Sequence, residues 1–587
     1  MGQVAPGHPS FVPQDCGQYD CINLQNLNVS LNVPVYSKSG AFPLNFGLSG
    51  ADSYFYNNAG AMTSGILTVP LADSVNGVLG YYSLQAVYTA TASVTCPSGD
   101  GTGAATKYSG WELINVAGTV HPLPSADAVY SGTNCSGGFT DQVIDGSGWT
   151  LNTVSGSIYS ADGTMLTGSA ITDSQSTPNT IKYSSVVGGD TIWTDTLGMR
   201  ALTRSPAGPT WTWTDTNGST QTASLTANNN ATLKTSFGCS GITDENDGGK
   251  SLPTNLSFPD STDLVFAWEP NEVTSTDYTG RLASITLRNG TSKVQFNYNP
   301  TGASAPYGLN CTYLVPNSLT RTTSDGTVTY NWTHLSGGGS QTTRLDIGKN
   351  ETIYTFSASG ILTQVQSFHN GGTITAPSYG GTADLVTTYC YNIGSAPTVS
   401  SCPTATVTEP ISQLAVFTSP NGLSTSETYS TFDGYGNTTL SETWDYGVAS
   451  TGTSLKETEI TYGTVSGAGG SCSAISFYIH NKPCIVQVLY SGNTLSLGNY
   501  AYSSAGNLLT SYISPNGGTS YLSNPTANSY NSSGTPNTLY NLAGNSTAFT
   551  YSSSYYTDCS SCTQYPFPTK RVNGGLTTYA YYNGYGG

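Results

Sequence analysis

Tyr354-Thr-Phe356-Ser-Ala-Ser-Gly360-Ile-Leu362-Thr363 and Tyr500-Ala-Tyr502-Ser-Ser-Ala-Gly506-Asn-Leu508-Leu-Thr510 are two versions of one pattern. Each reads aromatic, one residue, aromatic, three residues, glycine, then Leu or β-branched residues. Aromatics two apart share a face of a strand, and the glycine supplies the positive φ that a tight hairpin turn demands. The pattern therefore predicts a strand, a turn at Gly360 or Gly506, and a returning strand. Phe432-Asp433-Gly-Tyr-Gly436-Asn437-Thr438 and Leu542-Ala-Gly544-Asn545-Ser-Thr547 are degraded copies, and Tyr579 with Tyr581 repeats the aromatic pair.

A longer period overlies the short one. Cys390 and Cys402 precede Phe432, Cys472 and Cys484 precede Tyr500, and Cys559 and Cys562 precede Tyr579; the first cysteines of these units lie 82 and 87 residues apart. Three units in series, each a Cys-bracketed loop followed by an aromatic-Gly hairpin, make a repeat array and not three unrelated domains. Hairpin spacing extends upstream. Trp193-Thr-Asp195-Thr196 returns as Trp213-Thr-Asp215-Thr216 after 20 residues, and Leu27, Val29, Leu31, Val33 and Val35 alternate with polar residues before a second alternating run, Phe42, Leu44, Phe46, Leu48. Strict alternation marks a half-buried strand. No window of similar length carries the 3.6-residue period, so helix content is expected to be minor.

Composition agrees. Of 587 residues only 9% are charged, against about 25% in an ordinary soluble domain, while 40 are Tyr and 68 are Gly. A chain rich in Tyr, Thr, Val and Gly suits pleated sheet punctuated by turns. The net charge of -17, without a Lys/Arg cluster, offers no footprint for nucleic acid or anionic lipid. No apolar run reaches the roughly 18 residues of a membrane span. The 12 cysteines fall in chain order as 16 and 21, 96 and 135, 239 and 311, 390 and 402, 472 and 484, 559 and 562. An even count in near-neighbour pairs predicts disulfides (Cys16, Cys21, Cys96, Cys135, Cys239, Cys311, Cys390, Cys402, Cys472, Cys484, Cys559, Cys562) and an oxidising compartment, secreted or at the cell surface, although no signal peptide is visible. Zinc is the competing reading for Cys559-Ser-Ser-Cys562, but no second pair stands at zinc-ribbon distance.

As a series, these motifs resemble the YD repeat of the RHS (rearrangement hotspot) family, Tyr-x-Tyr-Asp-x-x-Gly-Asn/Arg-Leu-Thr. Asp433 keeps the family's Asp, whereas Ser357 and Ser503 replace it. The front half is similar to large bacterial RHS proteins at Asn26 to Phe46, Gly118 to Leu123, Asp162-Gly-Thr164, Asp195 to Gly198 and Leu282 to Gly290. The resemblance implies an all-β chain of repeated antiparallel hairpins in a continuous curved sheet, winding spirally into a hollow shell around a C-terminal toxin or other cargo. It also implies three regions: a Cys-bounded arm over 1–21, a β-rich RHS-like region over 22–345, and a YD-repeat array over 346–587, with one continuous sheet expected from 350 to 587. The family's Asp-Pro self-cleavage motifs have no counterpart here, and Tyr582 to Gly587 aligns with Phe432 to Asn437, so the chain is expected to stop inside a hairpin.

Motifs that carry chemistry are missing. The five histidines, at 8, 121, 334, 369 and 480, form no metal or catalytic pattern and read as turn or surface residues. Gly249-Lys250-Ser251 lacks the P-loop glycine five places earlier, where Asp244 stands. Asp244, Glu245 and Asp247 form the densest acidic loop; a solvated loop is the preferred reading and Ca²⁺ ligation the alternative. Trp211 and Trp213 share a strand face, which reads as sheet packing or, alternatively, as a stacking platform for sugar rings. No cofactor is expected. The reading is a non-catalytic shell whose partners are its own C-terminal core and cargo; a glycan-binding or adhesion protein, with cell-surface glycans as partners, comes second and a carbohydrate-active enzyme third. No cleft combining several acids with perturbed protonation is expected.

Overall fold

A computed structural model describes residues 13–583 except 42, 52–54, 59–60, 65–71, 76–83, 97–102, 115–119, 125–126, 133–134, 186–188, 207, 370–381, 393, 395–401, 403–406, 422, 424, 448–453, 477, 518–519, 524–526 and 558–564. Strands dominate, and the one described helical segment is a short 3₁₀ turn at Ser553–Tyr555. No helix among the described residues is long and apolar enough to cross a membrane.

One sheet of 28 strands carries the architecture, from Thr140–Gln142 to Leu522–Ser523, each strand antiparallel to the next along the path. It passes residue 345 without a break, since Ser340–Leu345 pairs with Glu351–Phe356. The expectation of one sheet from 350 to 587 is corrected at both ends. The sheet begins some 200 residues earlier, and after Ser523 the strands from Ser529–Tyr530 to Leu576–Tyr579 form a separate five-stranded sheet. Sequence reading placed the array's start at the first recognisable aromatic-Gly motif. Sheet pairing needs only alternation and turns, and both begin well before that motif.

A further five-stranded sheet, Gln14–Cys16, Asp20–Asn23, Val29–Lys38, Leu44–Ala51 and Ala72–Val75, contains the alternating runs from Val29 and from Leu44; Leu27 precedes its strand with a φ of 60°, and Phe42 lies outside the described residues. Residue 21 falls inside its second strand. Val29, Leu31, Val33, Leu44, Phe46 and Leu48 are buried and share a core with Leu151, Trp193, Trp211, Leu256, Tyr330 and Phe356 of the long sheet. The Phe46 ring lies 5.3 Å from Trp193 and 5.9 Å from Trp211. A lone hairpin has no core of its own, so the N-terminal sheet supplies the apolar layer that this part of the long sheet packs against.

Because the sheet is a meander, successive turns alternate between the two ends of the strands. We call the end carrying 143–149, 160–164, 173–179 and 215–219 the upper rim, and the end carrying 357–361, 433–437 and 503–507 the lower rim. The sheet coils back on itself, and lower-rim turns of its later part dock on upper-rim turns of its early part. Gln142 Nε2 donates to Gly434 O at 2.8 Å, Ser174 Oγ to Ala505 O at 3.0 Å and His480 N to Ala161 O at 2.8 Å. The chain after Ser523 continues the seam, with Asn179 Nδ2 donating to Ser533 O at 2.8 Å and Asn583 Nδ2 to Thr216 O at 2.7 Å. From the first to the last of these side-chain contacts the sequence separation grows from 292 to 367 residues. The wall is therefore a spiral, with one revolution stacked on the next.

Candidate functional site

The repeating turn is the smallest functional unit of this wall. In Phe432 to Thr438, Asp433 N donates to Asn437 O and Gly436 N to Asp433 O, both at 3.0 Å. The Asp433 carboxylate accepts from Tyr435 N and Asn437 N at 2.9 Å each and from Asn437 Nδ2 at 3.0 Å. Ser503 takes the same position with its hydroxyl, accepting from Ala505 N and Asn507 N; Asn541 does so with its amide oxygen, accepting from Ala543 N and Asn545 N. Asp195 and Asp215 of the Trp-Thr-Asp-Thr pair build the same turn. What the drifted copies keep is an oxygen able to hold two backbone N–H groups, which explains why Asp, Ser and Asn interchange. Gly360, Gly436, Gly506 and Gly544 all have φ between 76° and 79°. The ladder slips by one residue beside the turn, at Thr355/Phe356, Thr431/Phe432 and Ala501/Tyr502, as a bulge following a left-handed residue requires.

Tyrosine hydroxyls tie one hairpin to the next. Tyr391 Oη donates to Leu362 O at 2.7 Å, Tyr462 Oη to Thr438 O at 2.9 Å and Tyr530 Oη to Leu508 O at 2.8 Å. Each acceptor is the first residue of the strand that leaves the preceding turn. Burial, with Asp433 adding to it, pushes the Tyr462 phenol up to about 12, so it remains a donor at any physiological pH. Tyr354 and Phe356 both pack on the main core, and Tyr579 and Tyr581 both lean on Tyr555, so each pair keeps to one side of its strand.

Charged groups are few and mostly spent on fastening. Lys38 of the N-terminal sheet and Asp195 of a repeat turn meet at 2.5 Å, both 2% exposed. Arg321 binds Asp20 at 2.6 Å, and Asp15 takes Arg344 at 2.5 Å and the Tyr330 hydroxyl at 2.6 Å, so the arm is held on the long sheet. His121 is a correction to its reading as a turn or surface residue: it is buried, with Nδ1 2.5 Å from Asp145, which also accepts from Ser147 Oγ at 2.7 Å. Asp145 lies between Ser147 and His121, so the serine is not activated by the imidazole and no hydrolytic triad results.

One cluster escaped sequence reading. Glu442 stands directly opposite Glu457 across the strand pair, and Glu427 and Glu459 lie diagonally from it on the same face. Burial first, then repulsion from Glu457, Glu427 and Glu459, raises the Glu442 carboxyl above its ordinary value. Burial and Glu459 do the same to Glu457. The signal was present in the 15-residue spacing of Glu427, Glu442 and Glu457, one strand-and-turn step each. Among the described residues, no group of His, Cys, Asp and Glu is arranged to hold a metal ion.

The remaining sequence candidates separate. Asp244 accepts from Thr235 Oγ1, Phe237 N and Gly238 N and closes its own loop, while Asp247 pairs with Lys250, so the acidic stretch does not converge on a cation. Glu245 belongs to the same loop, where its N–H bonds Thr235 Oγ1. The stacking platform is corrected: Trp211 is 1% exposed, with Nε1 donating to Asp73 at 3.1 Å, because core packing against Phe46 takes its ring out of reach of any ligand. Trp213 remains half-buried beside Tyr36, at 5.1 Å, lining a groove of about 270 Å³ with Ser37 and Asp215. Disulfides join Cys16 to Cys21, Cys239 to Cys311, Cys390 to Cys402 and Cys472 to Cys484, with Cα separations of 4.0, 5.3, 5.0 and 5.9 Å. Cys96 is also disulfide-bonded. The Cys135 side chain, Cys559 and Cys562 lie outside the described residues.

These features define a class: an all-β chain in which one long antiparallel sheet coils on itself through stacked turn rims. No known family's sequence profile matches the chain, and no characterised protein matches it in sequence. Among solved structures it is similar to a chain of the Photorhabdus luminescens Tc holotoxin pore carrying a mutated TccC3, at 10% identity and a TM-score of 0.25 over 94% of this chain and 31% of that one. It is also similar to a chain of the TcdB2-TccC3-Cdc42 crystal structure, at 11% identity and a TM-score of 0.24 over 93% of this chain and 30% of that one. The 587 residues thus span about a third of the length of these larger chains.

Proposed function

We propose that this chain is a non-catalytic wall segment of an exported RHS/YD-repeat protein, secreted or at the cell surface, which encloses or presents a C-terminal toxin or cargo domain not contained in these 587 residues. The observation that carries the reading is the seam: polar side chains of one revolution bind backbone carbonyls of the next across about 300 to 370 residues of chain, which builds a continuous wall out of hairpins that bury little alone. The disulfides suit an oxidising compartment. Fusing a small reporter domain with a protease-sensitive linker to the C-terminus tests it. An enclosed or docked reporter is cleaved more slowly than the same reporter fused to an unrelated β protein. Equal cleavage refutes enclosure, and a solid particle in electron micrographs refutes the hollow wall.

A second reading rests on the groove between Trp213 and Tyr36, where an aromatic face meets hydroxyls and a carboxylate, the chemistry that holds a sugar ring. Glycan-array binding lost on Trp213→Ala supports adhesion; an empty array removes it.

A further inference from the structure

Among the described residues three lysines pair with a carboxylate, and one pair differs from the others. Lys234 meets Asp277 at 3.7 Å and Lys250 meets Asp247 at 2.5 Å, both pairs open to solvent. Lys38 and Asp195 meet at 2.5 Å with both side chains sealed from it. Trp193, Leu197 and Ala201, on the hairpin that carries Asp195, are buried as well. An ion pair in such a place is costly to hold, because both ions have given up their water.

The two oxygens of Asp195 are engaged differently. Oδ1 builds the turn, accepting from Leu197 N at 3.0 Å and Met199 N at 2.9 Å. In the sister turns the second oxygen is capped by a side-chain amide, Gln221 Nε2 on Asp215 at 2.7 Å and Asn437 Nδ2 on Asp433 at 3.0 Å. Asp195 Oδ2 accepts no hydrogen bond; the Lys38 ammonium stands against it instead. Both partners are held in place by backbone. Lys38 ends the strand Val29–Lys38, and Ala41 N donates to Thr196 Oγ1 at 2.9 Å, fixing the N-terminal hairpin on the same turn.

We propose that Lys38 and Asp195 condense into an intramolecular isopeptide bond. A proton passes from Nζ to Oδ2, and the resulting amine attacks Cγ. The Nζ–Cγ bond forms, the Cγ–Oδ2 bond breaks, and Oδ2 leaves as water with that proton and a second one from Nζ. Nothing is oxidised or reduced, and no co-reactant is consumed. Oδ1 becomes the amide carbonyl oxygen and keeps its bonds from Leu197 and Met199, so the turn survives the reaction. Two effects drive the step. The fold holds amine and carboxyl together at an effective concentration that free groups never reach, and the product replaces two buried charges by one neutral amide. The groove that Lys38 lines with Tyr36 and Trp213 gives the water a way out. The bond fastens the N-terminal apolar layer covalently to the long sheet, whatever the wall encloses.

Mass spectrometry of the folded full chain, reduced and alkylated after folding, tests this. The expected mass is one water below that of the sequence, trypsin fails to cut after Lys38, and digestion yields one branched peptide carrying residues 38 and 195. A chain synthesised and held in denaturant keeps the full sequence mass, since the fold is what brings the groups together. Lys38→Arg preserves a cation at the site and restores the full mass of its own sequence. The branched peptide is read on the unmodified chain, so the test stands even where the variant fails to fold. A folded wild-type chain of full mass with Lys38 open to trypsin overturns the proposal. So does a water loss that maps to other residues or persists in Lys38→Arg.

Discussion

Gly436 and Gly218 occupy the same position of the same turn, with φ of 76° and 81°, yet only Gly436 has its Cα packed against the facing revolution. A Cβ on Gly218 meets nothing within 4 Å, whereas one on Gly436 stands 2.6 Å from the Gly146 carbonyl carbon and 2.7 Å from its Cα, and nearer still to its oxygen. Gly218→Ala therefore reports the left-handed backbone alone, about 1–2 kcal/mol. Gly436→Ala carries the same cost and must also part the seam by about 1.5 Å to bring the Gly146 oxygen, its nearest neighbour, to ordinary contact distance. That displacement breaks the bond from Gln142 Nε2 to Gly434 O, worth about 1 kcal/mol, and loosens the surrounding contacts. The expected totals are about 1–2 kcal/mol for Gly218→Ala and about 2–4 kcal/mol for Gly436→Ala. A long repeat array need not unfold in two states, so the assay is site-resolved hydrogen exchange together with the melting temperature. Gly436→Ala should speed exchange at both 433–437 and 143–149, while Gly218→Ala affects only 215–219. Equal effects of the two substitutions, or no change at 143–149, would refute the coiling that joins the revolutions.

Lys38→Met leaves Asp195 buried without its cation and should cost about 3–5 kcal/mol over and above the loss of the proposed amide, most of that charge penalty recovered by adding Asp195→Asn, which keeps the turn acceptor without the charge; a melt of the three proteins checks this. Glu442 has a raised carboxyl pKa in the folded chain, so its ionisation above that value opposes folding, and the penalty disappears as pH falls to the unfolded value. Glu442→Gln should accordingly raise the melting temperature at pH 7 and leave it unchanged near pH 4, the gap closing as the wild-type carboxyl protonates. Replacing Cys390 and Cys402 together by Ser should release about 3 kcal/mol of loop-closure constraint locally, seen as faster proteolysis within 391–401 with an unchanged far-ultraviolet dichroism spectrum.

The strands, the turns and the short-range disulfides Cys16–Cys21, Cys390–Cys402 and Cys472–Cys484 were legible because they depend on residues close together in sequence. An oxygen-bearing residue followed three places later by Gly makes its turn whether the residue is Asp433, Ser503 or Asn541, since the bonds it needs come from its own next four residues. Alternation over Val29 to Val33 likewise fixed the buried face of the first long strand. What covers that face was not legible. That Trp211 is sealed under Phe46 while Trp213 lines a groove, that His121 is buried on Asp145, and that Glu427, Glu442 and Glu457 share a face all depend on which strand or sheet arrives from elsewhere. The seam is the extreme case. Its donors are ordinary Gln, Ser and Asn side chains, its acceptors are backbone carbonyls that any residue has, and its partners lie about 300 residues apart, so nothing in the local sequence distinguishes them. Local chemistry determined the hairpin; the accumulated twist and curvature of 28 strands decided where the chain meets itself.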